Sequence, residues 1–149
     1  MPWVFDPHSG GTKIPEAVRE RTRRRILAHA EKHYAGRYTS LDIRFRGALC
    51  YIDAYVEPDV PKGWPPKDWG ETRDEMIDRL QQTPVHLVRL RYFGMDDRWS
   101  LAYYTYSNDR YEPCVFRSGE FIGTPEEALD IGSSHLPIAP AARQGYAND

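Results

Sequence analysis

Cysteine is nearly absent: Cys50 and Cys114 stand far apart, and neither belongs to a CxxC or has a cluster of histidines beside it. That spacing excludes a disulfide framework and a zinc-finger pattern, and both residues read as reduced core thiols. Long apolar runs are missing too, since no stretch approaches the roughly 20 residues that cross a bilayer. The opening MPWVFDPHSGG has neither the basic stretch nor the apolar run of a signal peptide, so a cytoplasmic protein with no membrane partner is expected. The signatures GxxxxGK(S/T), GxGxxG and GxSxG do not occur, and the histidine pair lies in HAEKH rather than HEXXH. Nucleotide hydrolysis and serine-type catalysis are unsupported, and no metal or cofactor is expected.

What is present suits one globular domain. The 149 residues are 40% hydrophobic and 13% aromatic, enough to build a core without staples. The net charge of -2 hides an asymmetry, because the stretch from Lys13 to Arg37 holds eight basic residues against three acidic ones.

Along the chain, residues 1–13 read as an arm that buries Trp3 and Phe5, because Pro2, Pro7, Gly10 and Gly11 forbid a helix there. Pro15 as a first helical residue and Gly36 as a stop bound a helix over about 15–35. Its core row is Val18, Thr22, Ile26 and Ala30, widened by Leu27 and Tyr34, with Arg21, Arg24 and Arg25 pointing away. Residues 41–56 alternate apolar and polar on both sides of Gly47, the pattern of a hairpin. Residues 57–70 hold four prolines and two tryptophans, which excludes regular structure and suggests a loop pinned by burying Trp64 or Trp69. Thr72 with Glu75 is a capping box for a short helix that uses Met76, Ile77 and Leu80 and ends before Pro84. VHLVRLRYF, RWSLAYYTY and YEPCVFR follow as a meander, and Thr124, Pro125 and Glu127 open a last helix. The fold class is α+β in the order α-β-β-α-β-β-β-α: an antiparallel sheet of about five strands, hairpin plus three-stranded meander, with helices mainly on one face. A permuted ferredoxin-like arrangement fits the first six elements. Residues 1–136 form the domain, and 137–149 are expected to be a disordered tail.

If helices cover Ile43, Phe45, Ile52, Val88, Leu90 and Leu101, the other face carries Asp42, Arg44, Arg46, Tyr51, Asp53, Tyr55, Arg89, Arg91, Tyr104 and Tyr106. Those arginines and tyrosines suit a ligand surface, or else cross-strand pairs that hold register. A two-residue turn at Gly47 and Ala48 sets Asp42 opposite Asp53 and Arg44 opposite Tyr51. Opposed carboxylates persist when an arginine lies between them, when they share a proton, or when they bind a cation. Arg89 or Arg91 is the expected clamp. His29 and His33 have a metal-ligand spacing but no third ligand nearby, so partly buried, hydrogen-bonded histidines are the expectation. Asp6 and His8 lie in the arm, which can approach a site, but nothing in the sequence places them at one. The run RERTRRR suits phosphates through Arg21, Arg24 and Arg25, or a solvated face balanced by Glu16 and Glu20.

The strings FDPHSGG, LCYIDAY, RLRYFG, TYSNDRYE and GTPEEA together resemble a group of short bacterial proteins of unassigned role, over nearly the whole length to about residue 136. The resemblance implies a bacterial cytosolic origin and carries no activity or site residue. The chain also resembles the small RNA-cleaving toxins of toxin–antitoxin pairs, for which Arg89, Arg91, Tyr104, Arg110 and Tyr111 are the analogous pool. It departs from them in the place of its first hairpin and in its acidic balance. The expected function is a non-catalytic binding or protein-interaction module that uses the Arg/Tyr face, with a protein partner or self-association. The alternatives are nucleic-acid binding or RNA cleavage, and a metal-dependent or acid–base enzyme built on Asp42 and Asp53.

Overall fold

A computed structural model describes residues 9–138. Helix α1 (Glu16–Tyr34) buries Val18, Thr22, Ile26 and Ala30, a row repeating every four residues that lays one stripe on the sheet. Pro15 is its N-cap rather than its first helical residue. Leu27, one residue beyond the buried Ile26, is rotated about 100° off the stripe and is exposed, against the expectation that it widens the core face.

Strands β1 (Ser40–Arg46), β2 (Leu49–Tyr55), β3 (Val85–Tyr92), β4 (Trp99–Thr105) and β5 (Arg110–Cys114) form one five-stranded sheet in the order β1-β2-β3-β4-β5, antiparallel throughout. The α+β class and element order are as the sequence predicts. The ferredoxin-like arrangement is not formed, because that topology would seat another strand between β2 and β3, which here pair directly. Helix α2 (Arg73–Gln82) therefore only turns the chain back. It buries Met76 alone and stands outside the main helical layer.

Helix α3 (Pro125–Gly132) packs beside α1 on the face formed by Ile43, Cys50, Ile52, Val88, Leu90 and Leu101. Fully burying each large apolar side chain there is worth roughly 1.5–3 kcal/mol. Both Thr72 and Thr124 close capping boxes, with Glu75 and Glu127 respectively. Gly132 lets α3 come close to the sheet, since a Cβ there would lie 3.0 Å from both Leu87 Cβ and Val88 Cγ1.

The described part of the arm docks on the hairpin end of the sheet, where Thr12 N–H donates to Tyr92 O (3.0 Å) and Ile14 N–H to Gly47 O (2.9 Å). Gly11 has φ +83°, and a Cβ on it would meet Tyr92 O at 2.7 Å, so only glycine fits the approach. Trp3, Phe5, Asp6 and His8 lie outside the described residues, as do positions 139–149. Arg37 holds the chain beyond α3 by donating to the carbonyls of Ser133, Leu136 and Pro137.

Trp64 and Trp69 are not buried, as the loop reading expected, but stay 39% and 53% exposed with their rings 5.1 Å apart. The loop is pinned instead by Arg73, whose guanidinium donates to the carbonyls of Val60, Pro61 and Trp64. A guanidinium with five donors can gather several carbonyls that no regular hydrogen-bond ladder satisfies.

Candidate functional site

The two-residue turn places Asp42 opposite Asp53 and Arg44 opposite Tyr51. Asp53 is the conspicuous residue, a carboxylate only 2% exposed on the sheet face turned away from α1 and α3. Arg44, beside it in β1, donates from Nη2 to Asp53 Oδ2 at 2.7 Å and places Nε 3.3 Å from Asp42 Oδ2. The opposed aspartates are thus clamped by arginine, but by Arg44 rather than by the expected Arg89 or Arg91.

The second partner of Asp53 was not legible. Strict alternation along β3 would put His86 on the same side as Val88 and Leu90, under the helices. The register shifts instead between Ile52, which pairs with Val88, and Asp53, which pairs with His86. Leu87 is the extra residue of this bulge and is fully buried. The bulge turns His86 to the open face, where its Nδ1 lies 2.9 Å from Asp53 Oδ1. A carboxylate only accepts, so Nδ1 carries the hydrogen and Nε2 is the nitrogen left for another partner.

Tyrosines surround this pair. The Tyr104 ring lies 4.7 Å from His86, 4.7 Å from Tyr106 and 5.0 Å from Tyr111. Tyr111 also meets Tyr51 edge-on at 5.7 Å and lies under the Arg89 guanidinium at 5.4 Å. Tyr106 accepts the His86 backbone N–H at 2.7 Å. Tyr104 donates a short hydrogen bond to Asp109, which sits in the left-handed region at φ 51° in the β4–β5 turn. That bond, with burial and the Asp109 charge, pushes the Tyr104 phenol up to about 12. Burial and the nearby Asp53 charge raise Tyr111 as well, and burial raises Tyr106. Near neutral pH the cluster is therefore uncharged and presents ring faces and donors.

Other expected site residues go elsewhere. Arg91 donates to Gly10 O at 3.2 Å and so serves the arm. Tyr55 is half-buried, and its carbonyl accepts from Thr39 N and Oγ1. On α1, Arg21 pairs with Asp96 at 2.7 Å, and Arg25 with Glu126 at 2.7 Å and Asp97 at 2.8 Å; of the expected phosphate set Arg21 and Arg24 are exposed and Arg25 is half-buried. His29 and His33 have ring centres 4.5 Å apart, but His29 Nε2 bonds Asp130 at 2.7 Å and His33 is exposed rather than partly buried. Burial alone would raise the Asp130 carboxyl, yet hydrogen bonds from Tyr34 and His29 overcome it and hold the group below the ordinary range. Among the described residues no three His, Cys, Asp or Glu side chains gather as a metal set, and no helix is long and apolar enough to cross a membrane.

Comparison of the chain with protein-family models, curated proteins and solved structures finds no match.

Proposed function

We propose that the protein is a non-catalytic interaction module that receives a protein partner on the face centred on Asp53, His86, Tyr104 and Tyr111. The observation that carries this reading is the make-up of that face: tyrosine and arginine are dense, and no strand of the sheet contains lysine. Tyrosine and arginine are the residues enriched at the cores of protein interfaces, where lysine is depleted. The Asp53 carboxylate fixes Arg44 and His86 in advance, so less ordering entropy is lost on docking. Arg44 answers both Asp53 and Asp42, so the face offers aromatic rings and paired charges rather than a large net charge. Pairing of Arg21 and Arg25 with acids, together with a pI near 6.2, disfavours nucleic acid.

The test is cross-linking mass spectrometry of the tagged protein in its own cells, repeated with Tyr51→Ala and Arg89→Ala. A partner should cross-link at the sheet face, and each variant should weaken its affinity about thirtyfold, the size of an interface hot spot. A partner that maps elsewhere, or that both variants retain, sinks the reading. Anisotropy with labelled RNA and DNA at two salt concentrations is the companion measurement. Binding that falls steeply with salt would move the assignment to nucleic acid.

A second reading, acid–base catalysis, draws on the bulge that aims His86 at a buried carboxylate. It replaces the expected Asp42 and Asp53 pair with Asp53 and His86, Nε2 being the proton-transfer atom. Turnover of any phosphate ester, carboxylic ester or single-stranded RNA that disappears in His86→Gln would support it, and no turnover across that panel rejects it.

A further inference from the structure

At the opposite end of the sheet from the arm lies a pocket of about 490 Å³, which shares Tyr106 with the tyrosine cluster and otherwise lies outside the face described above. Its volume falls in the range of small-molecule sites, roughly 300–1,000 Å³. Several separate segments converge on it. Val56 and Pro58 follow β2, Leu80 comes from α2, Val85 opens β3, and Leu136 lies beyond α3. Tyr106 and His135 complete the wall, edge to face with ring centres 5.0 Å apart.

The polar atoms of those two side chains are engaged. His135 Nε2 donates to Tyr104 O at 2.6 Å, and the Tyr106 hydroxyl is bound to the His86 backbone. The interior of the pocket is thus mostly apolar. The rim is not: Glu57 and Asp59 stand exposed at the mouth without an ionic partner among the described residues, and no lysine or arginine lines the pocket.

We propose that this pocket binds a small amphipathic amine, its apolar body between Leu80, Val85 and Leu136 and its ammonium group at the Glu57 and Asp59 carboxylates. Charge complementarity selects the ligand class. An anion of the same shape would meet two carboxylates and no cation, and a neutral analogue would gain the apolar contacts alone.

The experiment is a titration of the full-length protein followed by backbone amide NMR, with 4-phenylbutylamine, 4-phenylbutanol and 4-phenylbutanoate as probes. The amine should shift the amides of Val56, Glu57, Asp59, Val85 and Tyr106 saturably. It should bind about fivefold more tightly than the alcohol, the advantage two exposed ion pairs supply, with the carboxylate weakest. In Glu57→Gln/Asp59→Asn, amine and alcohol should bind alike while the alcohol is unchanged, which separates lost charge from lost folding. Equal binding of amine and carboxylate to the natural protein, or no saturable shift with any probe, would overturn the proposal. Neither outcome bears on the sheet-face partner, which is tested at Tyr51 and Arg89, outside the pocket.

Discussion

At the scale of single residues, the molecule turns on where it keeps charge out of water. Asp53 is buried, but Arg44, its ion-pair partner, is half exposed, so the pair is screened on one side only. Removing Arg44 leaves the buried carboxylate with His86, whereas removing both charges leaves only the exposed Asp42 without its arginine, where water serves it. Arg44→Met should therefore destabilise the protein more than Arg44→Met adds to an Asp53→Asn background. Urea unfolding of the four proteins should give a coupling of about 1 kcal/mol, and a coupling near zero would show that water already serves the carboxylate. Asp130 sets a pH dependence. Its folded pKa is depressed, so its hydrogen bonds from Tyr34 and His29 stabilise the fold fully above the ordinary carboxyl value near 3.9 and lose that effect as pH falls through the lower folded value. The stability gap between the natural protein and Asp130→Asn should be constant above about pH 5 and shrink toward pH 3. A gap that persists at pH 3 would mean that shape rather than charge is what the site needs.

At the scale of elements, the two capping boxes use the same chemistry but carry different weight. Each threonine cap is worth about 1 kcal/mol to its helix. Thr124 begins a helix that buries Ala128 and Leu129 in the main core, so Thr124→Ala should lower global stability by about that amount. Thr72 begins α2, which buries only Met76, so Thr72→Ala should speed hydrogen exchange in residues 73–82 while hardly moving the denaturation midpoint. Equal effects on the midpoint would show that α2 unfolds only with the rest. Both caps were legible, because Thr and Glu three apart act locally. The β1–β2 register was legible for the same reason, since a two-residue turn leaves one pairing. His86 beside Asp53 was not, because a single extra residue at Leu87 reverses the alternation on which the reading depended. The fates of Arg21 and Arg25 were hidden too, since their partners Asp96 and Glu126 come from distant segments.

At the scale of the whole molecule, two faces of one sheet are put to different uses: one holds α1, α3 and the core, and the other gathers Arg44, Arg89 and the tyrosines. With an outside partner on the second face, the protein should be monomeric on its own. Sedimentation equilibrium checks this, and a stable dimer that is lost in Tyr51→Ala would replace that partner with a second copy. The order of the strands has a further consequence. Each strand lies beside the one made just before it, so during synthesis every new strand emerges to find its edge already waiting. No segment has to be threaded between two others, and the sheet can grow in one direction at the pace of the ribosome. The seam between α1 and α3, closed by Arg25 and Glu126, must wait for the last helix to arrive, as must the sheet surface that Gly132 lets α3 approach.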